Sequence, residues 1–151
     1  RNPTAILTAH VAGDERIHIS REVYRGGMTS TDILAAIRAE ADRSNPSAIY
    51  IDPSAKMLID DLRRERYPVV KANNDVIGGI TRVRTALTSG MTIDPSCTAT
   101  IDEFGMYAYP ENARIETDNP VKEHDHAQDA LRYLCAGVLA VKRTPGRIVG
   151  V

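Results

Sequence analysis

Ala48-Ile49-Tyr50-Ile51 is a short apolar run that stops at Asp52. Its length is sufficient for a strand that is buried on both faces. A helical pattern follows over residues 57–62, and Val69-Val70 indicates another short strand. A strand, a helix and a second strand in this order favour a parallel pair with a right-handed crossover. The chain therefore predicts an α/β fold built around this unit.

An antiparallel hairpin is predicted upstream of this unit. Residues 4–11 have high β propensity, residues 12–15 carry a turn signal, and residues 16–24 alternate polar and apolar side chains. Thr29 and Asp32 then have the spacing of a capping pair, which predicts the start of a helix between the hairpin and the apolar run.

An amphipathic stripe downstream predicts a third helix. Val76, Ile80, Val83 and Leu87 are spaced to lie on one face of it. The pair Gly78-Gly79 inside this helix costs roughly 1 kcal/mol per residue relative to alanine. We therefore expect a neighbouring element to approach the helix closely at the glycine pair.

The remaining segments complete a mixed sheet with helices packed on it, in a single domain spanning residues 1–151. An edge strand is predicted at 91–93, a short helix at 98–107, a polar loop at 110–120 and a long helix from about 123 to 142. Pro145-Gly146 is predicted to close the domain.

Composition excludes several classes of protein. The chain has 151 residues, of which 42% are hydrophobic and 26% charged, as in a globular protein. Lys plus Arg is 19 and Asp plus Glu is 20, so binding to nucleic acid requires a local patch. The chain contains neither an apolar run of the ~20 residues that cross a bilayer nor a P-loop motif for an ATPase. Cys97 and Cys135 are expected to be reduced thiols.

Asp52 is the first candidate for a functional residue. Open α/β sheets place their sites at the carboxyl ends of strands, where Asp52 is expected to lie. The structural alternative is that Asp52 caps a helix beginning near Ser54.

A second candidate is the segment from His124 to Asp129. On a helix, Asp125 and Asp129 are one turn apart and repel each other unless a cation lies between them. Mg²⁺ prefers carboxylate oxygens, and Mn²⁺ also accepts an imidazole, which His126 could supply. The spacing does not suit zinc, because there is no cysteine partner and no histidine pair one turn apart. The alternative is an acidic first turn that faces the helix dipole.

Basic side chains are concentrated on the second and third helices. Lys56 and Arg63 are on the second, and Arg82 and Arg84 are on the third. They could hold DNA phosphates beside the carboxylates. The alternative is a solvated charged face.

Six segments occur along nearly the whole chain in a characteristic order. They are NPTAILTA at 2–9, IYIDPSA at 49–55, IDDLR at 59–63, GGITRVR at 78–84, IDEF at 101–104 (with Tyr107), and DHAQDALRY at 125–133. As an ordered set, they resemble the C-terminal nuclease domain of the large terminase subunit of tailed bacteriophages. The last segment is the most specific match.

The resemblance implies a ribonuclease H-like fold and an endonuclease that cuts concatemeric double-stranded DNA with two Mg²⁺ or Mn²⁺ ions. It assigns Asp52 and Asp129 to two acidic positions of the metal site, and His126 to a histidine that often accompanies them. Asp125 matches a position that is acidic in some members only. The implied partners are DNA, the terminase small subunit and the portal, with no membrane, in the cytoplasm of the bacterial host.

The chain departs from this pattern at its start. The family's first acidic residue lies on an opening strand, a few residues before the segment that matches 2–9. Asp14, Glu15 and Glu22 do not match it. We therefore expect a fragment without the opening strand and the N-terminal ATPase domain, and a sheet without its central strand. Such a fragment should bind metal weakly and cleave little DNA.

Two other functions fit the same features. One is a different ribonuclease H-like enzyme of the resolvase or transposase type, although the match over 129–133 argues against it. The other is a non-catalytic remnant that docks on DNA or the portal, in which case binding would not depend on Mg²⁺.

Overall fold

The computed structural model describes residues 3–106, 125–140 and 146–151. The predicted polar loop at 110–120 lies outside them. In the described residues no helix has the length and apolar character needed to cross a membrane. Chain order gives β1 Thr4–Val11, β2 Ile17–Arg25, α1 Ser30–Ser44, β3 Ala48–Ile51, α2 Lys56–Arg64, β4 Val69–Lys71, α3 Val76–Thr88, β5 Thr92–Ile93, α4 Thr98–Met106, α5 His126–Ala140 and β6 Gly146–Gly150.

The local predictions for the first half of the chain are confirmed. β1 and β2 form an antiparallel hairpin, and β3 and β4 form a parallel pair. Thr29 and Asp32 make a reciprocal capping box at the start of α1. β5 is a two-residue edge strand that pairs with β2.

The centre of the sheet differs from expectation. The prediction that Pro145-Gly146 closes the domain is wrong, because β6 begins at Gly146. The sheet has the order β4-β3-β6-β1-β2-β5, so the last strand in the chain is a central strand of the sheet. β6 runs parallel to β3 and antiparallel to β1. The expected gap at the centre of the sheet is therefore filled by a C-terminal segment.

Apolar side chains cover both faces of this sheet. On one face Leu131 and Leu134 of α5 pack in a cluster that includes Leu7. On the other face Ile37 of α1 and Leu62 of α2 pack in a second cluster. This division follows from the alternation of side chains along each strand.

Small residues bring α5 unusually close to its neighbours. A Cβ atom on Gly150 of β6 would lie 2.8 Å from the backbone oxygen of Ala130, and one on Gly137 would overlap the Tyr50 ring. A Cβ atom on Gly79 of α3 would lie 3.0 Å from Cβ of Arg132. The close approach expected at the glycine pair of α3 is therefore confirmed at Gly79, and the approaching element is α5, whereas the nearest atoms at Gly78 belong to Asp75 and Arg82.

Candidate metal and nucleic-acid site

Three of the residues singled out in the sequence line one pocket. Asp52, Asp129 and His126 share a pocket of about 220 Å³. Asp52 directly follows β3, while His126 and Asp129 belong to the first turn of α5. Because α5 packs against β3 and β6, the first turn of this helix is held beside the carboxyl end of β3.

Asp52 has both a local and a long-range contact. Its Oδ1 accepts a hydrogen bond from the backbone N–H of Ser54 at 2.8 Å, and its Oδ2 accepts one from the Tyr133 hydroxyl at 3.3 Å. The N-cap of α2 is Ala55, so Asp52 is not the helix cap that the structural alternative proposed. One carboxylate oxygen shapes the turn and the other faces α5.

Asp129 is paired within its own helix. Arg132, three residues later, donates a hydrogen bond to Oδ1 of Asp129 and forms an ion pair with it. Arg132 is 3% exposed, and its guanidinium carbon lies 5.5 Å from the centroid of the Tyr133 ring. Gly79 provides the space for the stem of Arg132. A metal ion would therefore share the Asp129 carboxylate with an arginine.

Tyr133 is a site residue that the sequence reasoning missed. Burial raises the pKa of its hydroxyl, and the negative charges of Asp52 and Asp129 raise it further. The hydroxyl therefore remains protonated and donates to Asp52. The spacing between Tyr133 and Asp129 could have identified it, because residues four apart on a helix lie on the same face.

We expect Asp52→Asn to lower the pKa of Tyr133, although burial should keep it above the usual value of 10.0. A tyrosine whose pKa is raised on folding adds stability below its unfolded pKa, and this contribution is lost as the pH rises through the folded pKa. In Asp52→Asn, this contribution to stability should be lost over a range of alkaline pH that is lower than in the parent chain. An NMR titration of the Tyr133 ring would measure the shift. Asp102→Asn, which changes an exposed carboxylate on α4, is the control, and an unchanged Tyr133 titration in Asp52→Asn would contradict the geometry.

Asp125 lies apart from this pocket. It immediately precedes α5, and its backbone oxygen accepts a hydrogen bond from the N–H of Asp129 at 2.8 Å. Asp125 is buried, and its charge contributes to the raised pKa of Tyr24, which burial causes in the first place. α5 begins at His126, and the hydrogen bond from Asp129 to Asp125 has helical i to i−4 spacing, so Asp125 lies at the start of the helix, one turn before Asp129.

The side chains of the pocket are donors that suit a divalent cation, but they form only part of a complete set of ligands. Two carboxylates and an imidazole are donors that Mn²⁺ accepts, and carboxylates suit Mg²⁺. Within residues 3–106, 125–140 and 146–151, no group of three or more His, Cys, Asp or Glu side chains is arranged to hold a metal ion. The pocket therefore supplies a pair of carboxylates and needs further oxygen ligands.

The predicted DNA-contacting residues lie outside this pocket. Lys56 and Arg63 are exposed on α2, and Arg82 is half-buried on α3. Arg84 is exposed and lines a separate pocket between α3, α4 and α5. The two pairs do not form one surface, because α2 packs in the cluster with α1 and α3 packs in the cluster with α5 on the other face of the sheet.

A groove that contains several arginines was not predicted. Arg21, Arg25 and Arg43 line a groove of about 650 Å³ between β2 and α1, together with the carboxylates of Asp32 and Glu40. Buried Glu40 accepts hydrogen bonds from Arg21 at 3.3 Å and from Arg43 at 3.0 Å, which fixes both side chains at the groove. No local motif predicts this groove, because its arginines belong to elements that are separated in the sequence.

In the part of the chain that the structure describes, six strands and five helices form a mixed sheet with the α/β ribonuclease H-like fold that a terminase nuclease domain also has. The neighbours among solved structures are large terminase chains. The large terminase of a thermophilic bacteriophage matches with a TM-score of 0.81 and 28% identity over 91% of this chain. The complex of the same terminase with ADP gives a TM-score of 0.79 and 27% identity over the same share.

A further neighbour is the nuclease domain of the large terminase from bacteriophage SPP1, which has bound Mn. It matches with a TM-score of 0.64 and 22% identity, over 87% of this chain and 77% of that domain. The chain spans only 37% of the terminase from the thermophilic bacteriophage. No protein-family model matches the chain, and no curated protein does.

Proposed function

We propose that this chain is the nuclease domain of a phage DNA-packaging terminase, and that it serves to cut double-stranded DNA with the help of divalent cations. The observation that carries the proposal is the meeting of Asp52 and Asp129 in one pocket, on the fold of a terminase nuclease domain. The bound Mn in the SPP1 domain supports a divalent cation as the cofactor.

Each residue of the pocket has a part in this proposal. Asp52 and Asp129 would hold Mg²⁺ or Mn²⁺, with His126 as a further donor or as a group that orients water. Two bound cations would lower the pKa of the attacking water and stabilise the leaving oxygen. Tyr133 orients the Asp52 carboxylate, and Arg132 offsets the charge of Asp129. Asp125, which directly precedes α5, remains a candidate for an extra ligand.

The DNA backbone would contact basic side chains outside the pocket. Lys56, Arg63, Arg82 and Arg84 remain our proposed contacts, and the arginines of the groove between β2 and α1 are further candidates. Arg25 of the groove pairs across the hairpin with Thr4, which lines the pocket. Contacts of this kind hold phosphates without reading sequence. In the full-length protein the partners would include the small subunit and the portal, in the host cytoplasm.

The proposal predicts that the chain binds Mn²⁺ weakly and that Asp52→Asn and Asp129→Asn each reduce this affinity at least tenfold. Removing one of two carboxylate ligands leaves a single charged donor in the pocket. Isothermal titration calorimetry with MnCl₂ would measure the affinities. Asp60→Asn is the control, because Asp60 is exposed on α2 and lies outside the pocket.

Equal Mn²⁺ affinities in all these variants would contradict the proposal. Duplex binding that does not respond to Mg²⁺, together with no effect of Asp129→Asn, would favour the docking module instead. In a chain that cleaves DNA, Asp129→Ala should abolish cleavage while the fold survives. Strong Mn²⁺-dependent nicking of a plasmid by the 151-residue chain would contradict the expectation that its ligand set is incomplete.

A further inference from the structure

The pocket between α3, α4 and α5, which we call the helix pocket, shares no lining residue with the candidate metal pocket in the described part of the chain. Its volume is about 270 Å³, which roughly nine water molecules would occupy in the liquid. Ile80 and Val83 of α3 and Phe104 of α4 form most of an apolar wall. A concave apolar wall with a few polar groups is typical of a site for a small ligand.

Gln128 brings an unsatisfied amide group to the helix pocket. This residue is 3% exposed and lines the pocket from the first turn of α5. Within the part of the chain that the structure describes, its Nε2 atom is buried and has no hydrogen-bond partner. A buried donor without an acceptor costs free energy, so packing alone does not explain a glutamine at this position. An oxygen atom of a bound ligand would satisfy the amide.

The other polar side chains of the helix pocket also carry donors. They are Arg84 of α3, which is exposed, and Arg132 of α5, which is buried. Among the described residues, no carboxylate lines the pocket. Because Arg132 is paired with Asp129, the net positive charge comes from Arg84. One positive charge matches a carboxylate, which carries a single negative charge, better than a doubly charged phosphate.

We propose that the helix pocket binds a small carboxylate with an apolar body, through Arg84 and the Gln128 amide, and that the bound carboxylate tightens metal binding at Asp129. Binding of the carboxylate does not depend on the proposed function, whereas its effect on metal binding rests on it.

Arg132 connects the two pockets. It lines the helix pocket and forms an ion pair with Asp129, which lines the metal pocket. A carboxylate bound beside Arg132 would attract the guanidinium and weaken its contact with Asp129, and the added negative charge would also attract a cation. Both effects increase the affinity for Mn²⁺. By linkage, Mn²⁺ must increase the affinity for the carboxylate by the same factor.

The first experiment measures binding of octanoate to the metal-free chain by isothermal titration calorimetry. Octylamine is the control ligand, because it has a similar apolar body with a cation in place of the carboxylate. Octanoate should bind and octylamine should not. Gln128→Leu and Arg84→Gln should each weaken octanoate binding about tenfold or more, since each removes a hydrogen bond to a charged group.

Two controls show that these losses are specific. Arg63→Gln makes the same change of charge on α2, outside the helix pocket, and should leave octanoate binding unchanged. Gln128→Leu removes a buried donor that lacks an acceptor, so the Tm of the ligand-free variant should be equal to or higher than that of the parent chain. Octanoate binding no stronger than that of octylamine, or unchanged in both Gln128→Leu and Arg84→Gln, would overturn the proposal.

A peptide ligand identifies the source of the carboxylate. Acetyl-Gly-Gly-Leu with a free carboxyl group imitates the C-terminus of a partner protein, and its C-terminal amide is the control. Tighter binding of this peptide than of octanoate would assign the helix pocket to a protein C-terminus. Tighter binding of octanoate would assign it to a free small acid, and either result supports a carboxylate site.

The second experiment measures the affinity for MnCl₂ with and without saturating octanoate. Octanoate should increase this affinity about fivefold, at the lower end of typical coupling between two sites. Acetate, which has the carboxylate without the apolar body, controls for direct complexation of Mn²⁺. Octanoate binding with an unchanged Mn²⁺ affinity would uphold the ligand site and overturn its coupling to Asp129. A chain that binds octanoate but no Mn²⁺ would overturn the proposed function and the coupling, while the carboxylate site would stand.

Discussion

Gly150→Val is expected to destabilise the chain by about 3 kcal/mol, which is at the upper end of the usual cost of overpacking a core. The first added carbon would lie 2.8 Å from the backbone oxygen of Ala130 and 2.7 Å from Cγ of Leu134. A backbone oxygen in the middle of α5 cannot move unless the helix moves with it. Urea denaturation followed by circular dichroism would measure the loss, with a fall in Tm of roughly 6–12 °C.

The matched control is Gly105→Ala in α4. A Cβ atom on Gly105 meets no other heavy atom within 4 Å, and alanine is the better helix former, so this variant should be neutral or slightly more stable. Where Gly150→Val remains folded, the displaced α5 should also carry Asp129 away from Asp52 and weaken Mn²⁺ binding. A Gly150→Val chain with unchanged stability would show that β6 does not lie against α5.

Local patterns were sufficient for most of the fold because the elements concerned are defined by their own residues. The capping box of Thr29 and the apolar run ending at Asp52 are readable within a few positions. β6 was missed for the opposite reason. Ile148-Val149 is a pair of apolar residues behind a Pro-Gly signal, and its strand character comes from the partners β1 and β3 on either side. Pairing between distant segments is not encoded in any one of them.

The candidate site was predictable to a similar degree. Asp52 and Asp129 could be named because a strand end and a helix start each place a carboxylate at a known edge. The role of Asp125 could not be predicted in this way, because its position relative to Asp129 depends on where the helix begins. Tyr133 and Arg132 modify the two carboxylates through contacts that exist only after α5 has packed on the sheet.

A second large effect is expected from Glu103→Ala, which should cost about 2–4 kcal/mol of stability. Glu103 of α4 is 2% exposed and accepts hydrogen bonds from the Tyr24 hydroxyl at 2.6 Å and the backbone N–H of Gln128 at 2.9 Å. It thereby joins β2, α4 and the first turn of α5. Alanine would leave the buried backbone N–H of Gln128 and the half-buried hydroxyl of Tyr24 without their acceptor, and each lost partner costs roughly 1–3 kcal/mol.

Two milder variants separate the parts of this effect. Tyr24→Phe removes the contact to β2 and keeps the one to α5, so it should cost about 1 kcal/mol. Asp102→Ala, at the exposed position next to Glu103, should stay within about 0.5 kcal/mol of the parent chain. Because Gln128 adjoins Asp129, Glu103→Ala should also weaken Mn²⁺ binding, whereas Tyr24→Phe should not. Equal Mn²⁺ affinities in Glu103→Ala and the parent chain would mean that the first turn of α5 keeps its position without the Glu103 carboxylate. In that case, packing of α5 against β3 and β6 would be sufficient to position Asp129.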